Sequence, residues 1–503
     1  MLLDYDLSSI QEARDLARKA RQAQKAFAEY SQEEVDRIIC AMSEAAAQNA
    51  EWLARMAVDE TKFGVFADKV TKNLFAARGV YEYIKDMKTA GIIREDRANK
   101  VVEIAAPVGV IMGIVPSTNP TSTVIYKSLI SLKSRNGIVF SPHPSAARCT
   151  YAAAQVLHEA AVKAGAPEGI IGCLSKVTMQ ATNELMKSSE IDLILATGGS
   201  AMVKAAYSSG KPAYGVGPGN VPAFIEASAD IPHAVSCIIA SKTFDNGTIC
   251  ASEQAVVVEE SIKDQVIAEF KRQGGYFMNA EETAKVCRIL FTPRGMNPAV
   301  VGRSAQVVAQ MAGITIPEGT KVLIGEQAGV GKEYPLSHEK LTTVLGFYVE
   351  KDWRAACERC LALLEEEGIG HTLVVHSRNE EVINEFALKK PVFRILVNTP
   401  SALGGVGYTT GLAPSFTLGC GTWGGSSTSD NVTPLHLINI KRLAHGIKEY
   451  TPSWSKGQQT AAVACAAPVV SAPTAAAQSA APAIAVTEIE KIVRQVMASL
   501  QIK

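Results

Sequence analysis

The chain of 503 residues carries 50 Lys and Arg against 50 Asp and Glu, with 47% hydrophobic and 20% charged residues. It is long enough for about three domains and can bury a large core, and its charge balance gives no electrostatic case for nucleic acid or an anionic membrane as a partner. No apolar run approaches the ~18 residues of a membrane helix, Met1–Arg14 has no basic–apolar–small signal pattern, and the cysteines form no disulfide-like framework, so a reducing, cytoplasmic compartment is expected.

The first stretch, Leu7 to Asp86, reads as helical, with Val35, Ile38, Ile39 and Met42 at helical spacing among acids, Ala, Gln and Lys. From about residue 100 the texture changes. Short β-rich runs (Val108–Val115, Gly137–Phe140, Ile191–Ala196, Ala255–Val258, Thr372–His376) alternate with Ala-rich helical segments. That alternation predicts an α/β architecture, a parallel sheet covered on both faces. Residues 460–483 are half Ala, with three Pro, no charge and no large apolar side chain beyond three valines. Such a stretch cannot offset its ordering entropy and predicts a flexible linker, placed at 458–483. A helix then follows over 484–503: Thr487 and Glu490 have capping-box spacing, and Ile489, Ile492, Val493, Val496 and Leu500 share one face.

Three glycine motifs differ in weight. Gly419-Cys420-Gly421-Thr422-Trp423-Gly424 spells G-x-G-x-x-G but opens no helix, since Gly425 and a Ser/Thr run follow. Gly329-Val330-Gly331-Lys332 fails as a phosphate loop, because Glu326 stands where the first Gly belongs. The run from Ile191 to Thr197, followed by Gly198, Gly199 and Ser200, is a strand entering a helix through two glycines. It is either a plain strand-to-helix turn or a helix start presenting N–H groups to a phosphate or dinucleotide edge.

Among the cysteines, Cys357 and Cys360 form C-x-x-C within an amphipathic helix and have no second pair, so no metal site is expected there. Cys40, Cys149, Cys173, Cys237 and Cys287 sit among apolar or Ala-rich residues and read as small core residues. Cys250 differs: a turn-forming Asp245-Asn246-Gly247 leads to it and a β run follows, so it can be presented beside backbone N–H groups as an activated nucleophile.

The segment FDNGTICASEQ around Cys250 and the block from Gly113 to Pro120, continuing to Pro144, resemble the aldehyde dehydrogenase superfamily, in its CoA-acylating branch. The resemblance runs from about residue 8 to 455 and implies an aldehyde dehydrogenase-like α/β fold: a Rossmann-like cofactor domain, an α/β catalytic domain and a β oligomerisation arm. The cofactor domain is expected at 1–235 with arm strands near 92–106, the catalytic domain at 236–430, and the arm with its return segment at 431–457. By the same resemblance Cys250 attacks the aldehyde, while the Asn119 side chain and the Cys250 backbone N–H stabilise the oxyanion; in isolation Asn119 reads as a turn residue before Pro120. Ser141, Pro142, His143, Thr197, Gly198, Gly199, Ser200, Gly217 and Glu339 match the branch's NAD-binding positions. Hydrolytic members carry a water-activating glutamate where Gly215-Val216-Gly217 places Val216, which cannot act as a base. A thiol such as coenzyme A can instead take the acyl group by thioester exchange.

The expected activity is therefore oxidation of a short aldehyde to acyl-CoA with NAD and coenzyme A, in a homodimer or homotetramer. A hydrolytic aldehyde dehydrogenase and a non-catalytic scaffold are the alternatives. Unlike the branch's bifunctional members, no metal-dependent alcohol dehydrogenase domain is read after residue 460. The terminal helix resembles encapsulation peptides, which implies a bacterial microcompartment and a shell or cargo protein as partner.

Overall fold

Helices Tyr5–Phe27, Gln32–Gln48, Ala50–Thr61 and Phe66–Leu74 fill the first stretch, the last continuing through a π turn, Phe75–Gly79, into Val80–Ile84. The second opens on a capping box in which Ser31 Oγ accepts from Glu34 N and the Glu34 carboxylate accepts from Ser31 N. Its Val35, Ile38, Ile39 and Met42 are buried as one face, packed in a core with Ile125, Leu129 and Phe140. The computed structural model describes residues 4–293 and 295–450, and its compact unit ends at Ile447. The expected linker at 458–483 and helix at 484–503 lie outside the described residues.

Two parallel sheets organise the unit. The first has five strands in the spatial order Ile171–Cys173, Gly137–Ser141, Val110–Ile114, Leu193–Thr197, Ala213–Val216. Both Val110–Ile114 and Gly137–Ser141 are buried at every residue, as strands covered on both faces must be. In chain order the sheet grows outward from Val110–Ile114, first to one side and then to the other. The chain thus reverses direction between Val110–Ile114 and Leu193–Thr197, leaving a crevice beyond their carboxyl ends.

The second sheet has seven parallel strands in the order Gly275–Phe277, Val322–Glu326, Val344–Glu350, Glu253–Glu259, Val221–Ile225, Gly370–His376, Val392–Val397. The strand Val221–Ile225 pairs here, ahead of the expected boundary at residue 235, because the chain leaves the first sheet at Val216. A third, antiparallel sheet joins Gly91–Asp96, Val101–Pro107 and Ile438–Ala444. Segments 331 residues or more apart in sequence meet there, as the pairing of Pro107 with Ile438 requires.

Candidate active site

The helix Ile231–Thr243, capped by Asp230, is followed by three residues with positive φ: Asp245 at 49°, Asn246 at 53° and Gly247 at 73°. Asp and Asn tolerate the left-handed region better than other non-glycine residues, and Gly adopts it freely, so Asp-Asn-Gly suits this turn. It sets Cys250 three residues before the start of the strand Glu253–Glu259, half-buried, with Sγ 3.2 Å from His371 Nε2. Gly219 presses on the same loop. A Cβ at Gly219 would lie 2.0 Å from the Cys250 carbonyl oxygen and 3.2 Å from His371 Cδ2, so no larger residue fits.

His371 is completely buried at the start of the strand Gly370–His376, and its Nδ1 lies 2.9 Å from Thr372 Oγ1. Arg394 Nε donates to that hydroxyl at 3.2 Å, and its Nη2 donates to the Gly419 carbonyl at 2.6 Å. Burial, helped by Arg394, holds the imidazole well below its usual range and therefore neutral. Burial, with Glu339 adding, pushes the Cys250 thiol up to about 12. Glu339 is itself pushed up to about 8 by burial and by Glu367, while accepting from Gly219 N at 3.1 Å. At neutral pH the pair is a thiol beside a neutral imidazole.

Asn119 ends the loop that leaves the strand Val110–Ile114 at the crevice, and it precedes the helix Pro120–Lys133. Its Nδ2 donates to the Thr248 carbonyl at 3.2 Å, two residues before Cys250, and to Thr118 Oγ1 at 3.1 Å. Its Oδ1 accepts from Lys72 Nζ at 2.6 Å. Lys72 also donates to Thr248 Oγ1 at 3.0 Å and to Asp245 Oδ2 at 2.5 Å, and Lys69 donates to the same carboxylate oxygen at 2.9 Å. Asp245, Lys69 and Lys72 are all buried. Burial alone would raise the Asp245 carboxyl, but the two ammoniums more than offset it and hold it below the usual range.

Beside this network lies a small apolar recess, lined in part by Phe75, Phe244, Ile249, Tyr408 and Phe416, with Lys72 at its wall. Val216 is buried in the adjoining cluster with Ile249, Ala251, Leu418 and Cys420, against which Cys250 packs.

Ser141 and Thr197 end the strands on either side of Val110–Ile114, at the carboxyl edge of the sheet. Ser141 Oγ shares a hydrogen bond of 2.9 Å with Thr182 Oγ1. Pro142 follows, buried, whereas His143 is exposed and turns its Nδ1 onto Ser145, 2.6 Å from Oγ. Gly198 and Gly199 lead into the helix Ser200–Tyr207. A Cβ at Gly199 or Gly217 would meet nothing within 4 Å, so the backbone there is open to close approach by a ligand. The residues expected to bind a dinucleotide thus gather on one edge, except that Glu339 stands on the nucleophile's side and the His143 side chain serves its local turn.

Cys357 and Cys360 are buried in the core face of the helix Trp353–Glu366. The Gly419–Gly424 segment forms turns, with Phe393 occupying the space a Cβ at Gly421 would need. Sequence reasoning missed His371, Arg394, Lys69 and Lys72. The available signals were a Gly-His-Thr opening an apolar strand and a lone Arg within VFRILV.

Comparison with known proteins shows the family. The model named Aldehyde dehydrogenase family matches residues 2–337. The bifunctional aldehyde-alcohol dehydrogenase AdhE of Escherichia coli is 47% identical over 443 residues, 87% of this chain and 50% of that protein. The chain thus spans about half the length of the first curated relatives it matches. An acetylating aldehyde dehydrogenase from Geobacillus thermoglucosidasius is 56% identical and superposes with a TM-score of 0.89 over 90% of this chain and 100% of its own. A propionaldehyde dehydrogenase from the Clostridium phytofermentans fucose utilisation bacterial microcompartment is 30% identical, with a TM-score of 0.78 over 86% of this chain and 97% of its own. The chain belongs to the aldehyde dehydrogenase family.

Proposed function

We propose that this protein oxidises short, uncharged aldehydes to acyl-CoA, using a nicotinamide dinucleotide and coenzyme A. The observation that carries the reading is the setting of Cys250: its sulfur meets a neutral imidazole, and Val216, which the sequence resemblance sets at the water-activating position, packs in the apolar cluster beside it. The similarity to an acetylating enzyme supports the same reading.

In the mechanism, Cys250 Sγ attacks the aldehyde carbon as its proton passes to His371 Nε2, with Nδ1–H donating to Thr372 Oγ1. The new oxyanion accepts from the Asn119 amide and the Cys250 backbone N–H, donors worth about 3–4 kcal/mol each when preorganised. Ser141, Pro142, Thr197, Gly198, Gly199, Ser200 and Gly217, with the His143 backbone beside them and Glu339 reaching in from the nucleophile's side, would hold a nicotinamide dinucleotide, which would supply the hydride acceptor needed to turn the thiohemiacetal on Cys250 into a thioester. The coenzyme A thiol then attacks that thioester, loses its proton, and expels Cys250 as a thiolate that is reprotonated. Apolar walls favour a small uncharged substituent, and the bonds Lys72 makes to Asp245, Asn119 and Thr248 leave it poorly placed to pair with a charged aldehyde. Acetaldehyde and propionaldehyde, small and uncharged, are the aldehydes this reading favours. The test is NADH absorbance with a C2 to C4 aldehyde, with and without coenzyme A. CoA-dependent turnover is expected; CoA-independent acid formation would make the enzyme hydrolytic, and no turnover would make it a scaffold.

In this reading the five-stranded sheet carries the cofactor part, the seven-stranded sheet the catalytic part, and the three-stranded sheet an arm that joins subunits into a homodimer or homotetramer. The helical spacing of Ile489, Ile492, Val493, Val496 and Leu500 in the sequence, and the likeness to a microcompartment enzyme, support recruitment to a shell or cargo protein. A fluorescent protein fused to residues 484–503 should form puncta in shell-producing cells, and Ile492→Glu with Val496→Glu should disperse them. A diffuse wild-type fusion would sink this part of the reading.

A further inference from the structure

We infer that Lys72 is the positioning residue of the oxyanion donor: it fixes the Asn119 side-chain amide with its oxygen toward the ammonium and its N–H edge toward the Cys250 loop. The inference rests on the reading of Asn119 as an oxyanion donor.

An asparagine amide has two nearly isosteric orientations, and only its hydrogen-bond partners choose between them. Here the partners leave no choice. Lys72 Nζ has donors only, and it lies 2.6 Å from Oδ1; the Thr248 carbonyl accepts only, and it faces Nδ2 at 3.2 Å. Flipping the amide would set NH₂ against an ammonium and oxygen against a carbonyl, losing both bonds and creating two repulsions.

Lys72 can impose this because it is immobile itself. It is 3% exposed, and Asp245 Oδ2 and Thr248 Oγ1 take its other donors. Thr248 Oγ1 in turn donates to Asp245 Oδ2 at 2.7 Å, and Asp245 Oδ1 accepts from Val65 N at 2.7 Å. The cation comes from the helix Phe66–Leu74, the amide from the loop after Val110–Ile114, and the carboxylate from the nucleophile's own turn. A positive charge on Oδ1 also draws electron density from the amide and strengthens Nδ2–H as a donor. That gain is largest when the acceptor becomes an oxyanion and displaces the long bond to the Thr248 carbonyl. Glu339 and Arg394 are the charged side chains that weigh most on the Cys250 thiol, whereas Lys72 bonds Asn119, Asp245 and Thr248, so its effect is expected through Asn119.

The test is a double-mutant cycle on the full-length enzyme, with kcat and aldehyde KM measured for Lys72→Met, Asn119→Ala and the pair, alongside iodoacetamide labelling of Cys250. Lys72→Met should lower kcat by ~10- to 100-fold, with KM changed less than about threefold and the labelling rate unchanged. In the Asn119→Ala background the same substitution should cost less than about threefold more. Independent, multiplicative losses would make Lys72 a general structural support and overturn the inference, as would a wild-type kcat in Lys72→Met. If Asn119→Ala alone leaves kcat intact, the oxyanion reading falls first and takes the inference with it, a result distinct from the other two. Lys72→Gln, which keeps an N–H donor for Asp245, is measured in the same cycle and decides the matter if Lys72→Met does not fold.

Discussion

Cys250 at rest is a thiol pushed up to about 12, and the imidazole 3.2 Å away stays neutral. Because the thiol is raised above its ordinary value of 9.0, its thiolate fraction between pH 7 and 9 lies below that of a free cysteine. Labelling of Cys250 by iodoacetamide in the enzyme without cofactor should therefore be slow and climb about tenfold per pH unit through this range. A plateau below pH 9 would mean that the thiolate already exists. Cys250 was readable from sequence because Asp-Asn-Gly marks a turn whatever surrounds it. His371 was not, since a histidine opening an apolar strand has no local feature that separates a base from a buried core residue. Only the pairing of Gly370–His376 beside Val221–Ile225, with Gly219 leading in, brings it to the sulfur.

At the scale of elements, the turn Asp245–Gly247 and the helix Phe66–Leu74 are bound through two carboxylates, that of Asp245 and that of Asp68, whose Oδ2 accepts from Asp245 N at 2.7 Å. Asp245→Asn removes the counter-charge of two buried ammoniums and should cost about 3–5 kcal/mol in urea denaturation near pH 6. The deficit should shrink toward pH 9. Burial already depresses Lys72 to about 8 with the Asp245 carboxylate beside it, and losing that carboxylate lowers it further, so rising pH lets the folded variant shed the unpaired proton before the unfolded chain does. The wild-type carboxyl has the same sign at lower pH: held below its usual range, it contributes stability above about pH 4 that is lost as pH falls through its folded value. An equal deficit at pH 6 and pH 9 would contradict the account. The helices and parallel strands were legible because a 3.6-residue period and buried apolar runs are local patterns. Predicted strand edges fell within two residues of those observed, as for Ala255–Val258 against Glu253–Glu259. The grouping of strands into two sheets was not legible, since consecutive strands on either side of residue 220 look alike.

For the whole molecule, the strand Ile438–Ala444 is exposed along nearly its full length, with Leu443 51% and Ile440 39% exposed. It forms one edge of its sheet. A long edge strand carrying apolar side chains invites pairing with another chain. Ile440→Lys with Leu443→Lys should shift the protein to a smaller species by light scattering while the isolated subunit remains folded; an unchanged mass would place the subunit contact elsewhere.

The bonds that make the site join residues distant in sequence: 173 positions separate Lys72 from Asp245, and 121 separate Cys250 from His371. Loop closures of that length come late in folding. A nascent chain that has emerged only as far as its nucleophile carries an ordinary thiol, with no base beside it and no finished pocket around it. Turnover at Cys250 therefore waits for contacts between distant segments, because His371 reaches the sulfur only when the strands that complete the second sheet are in place.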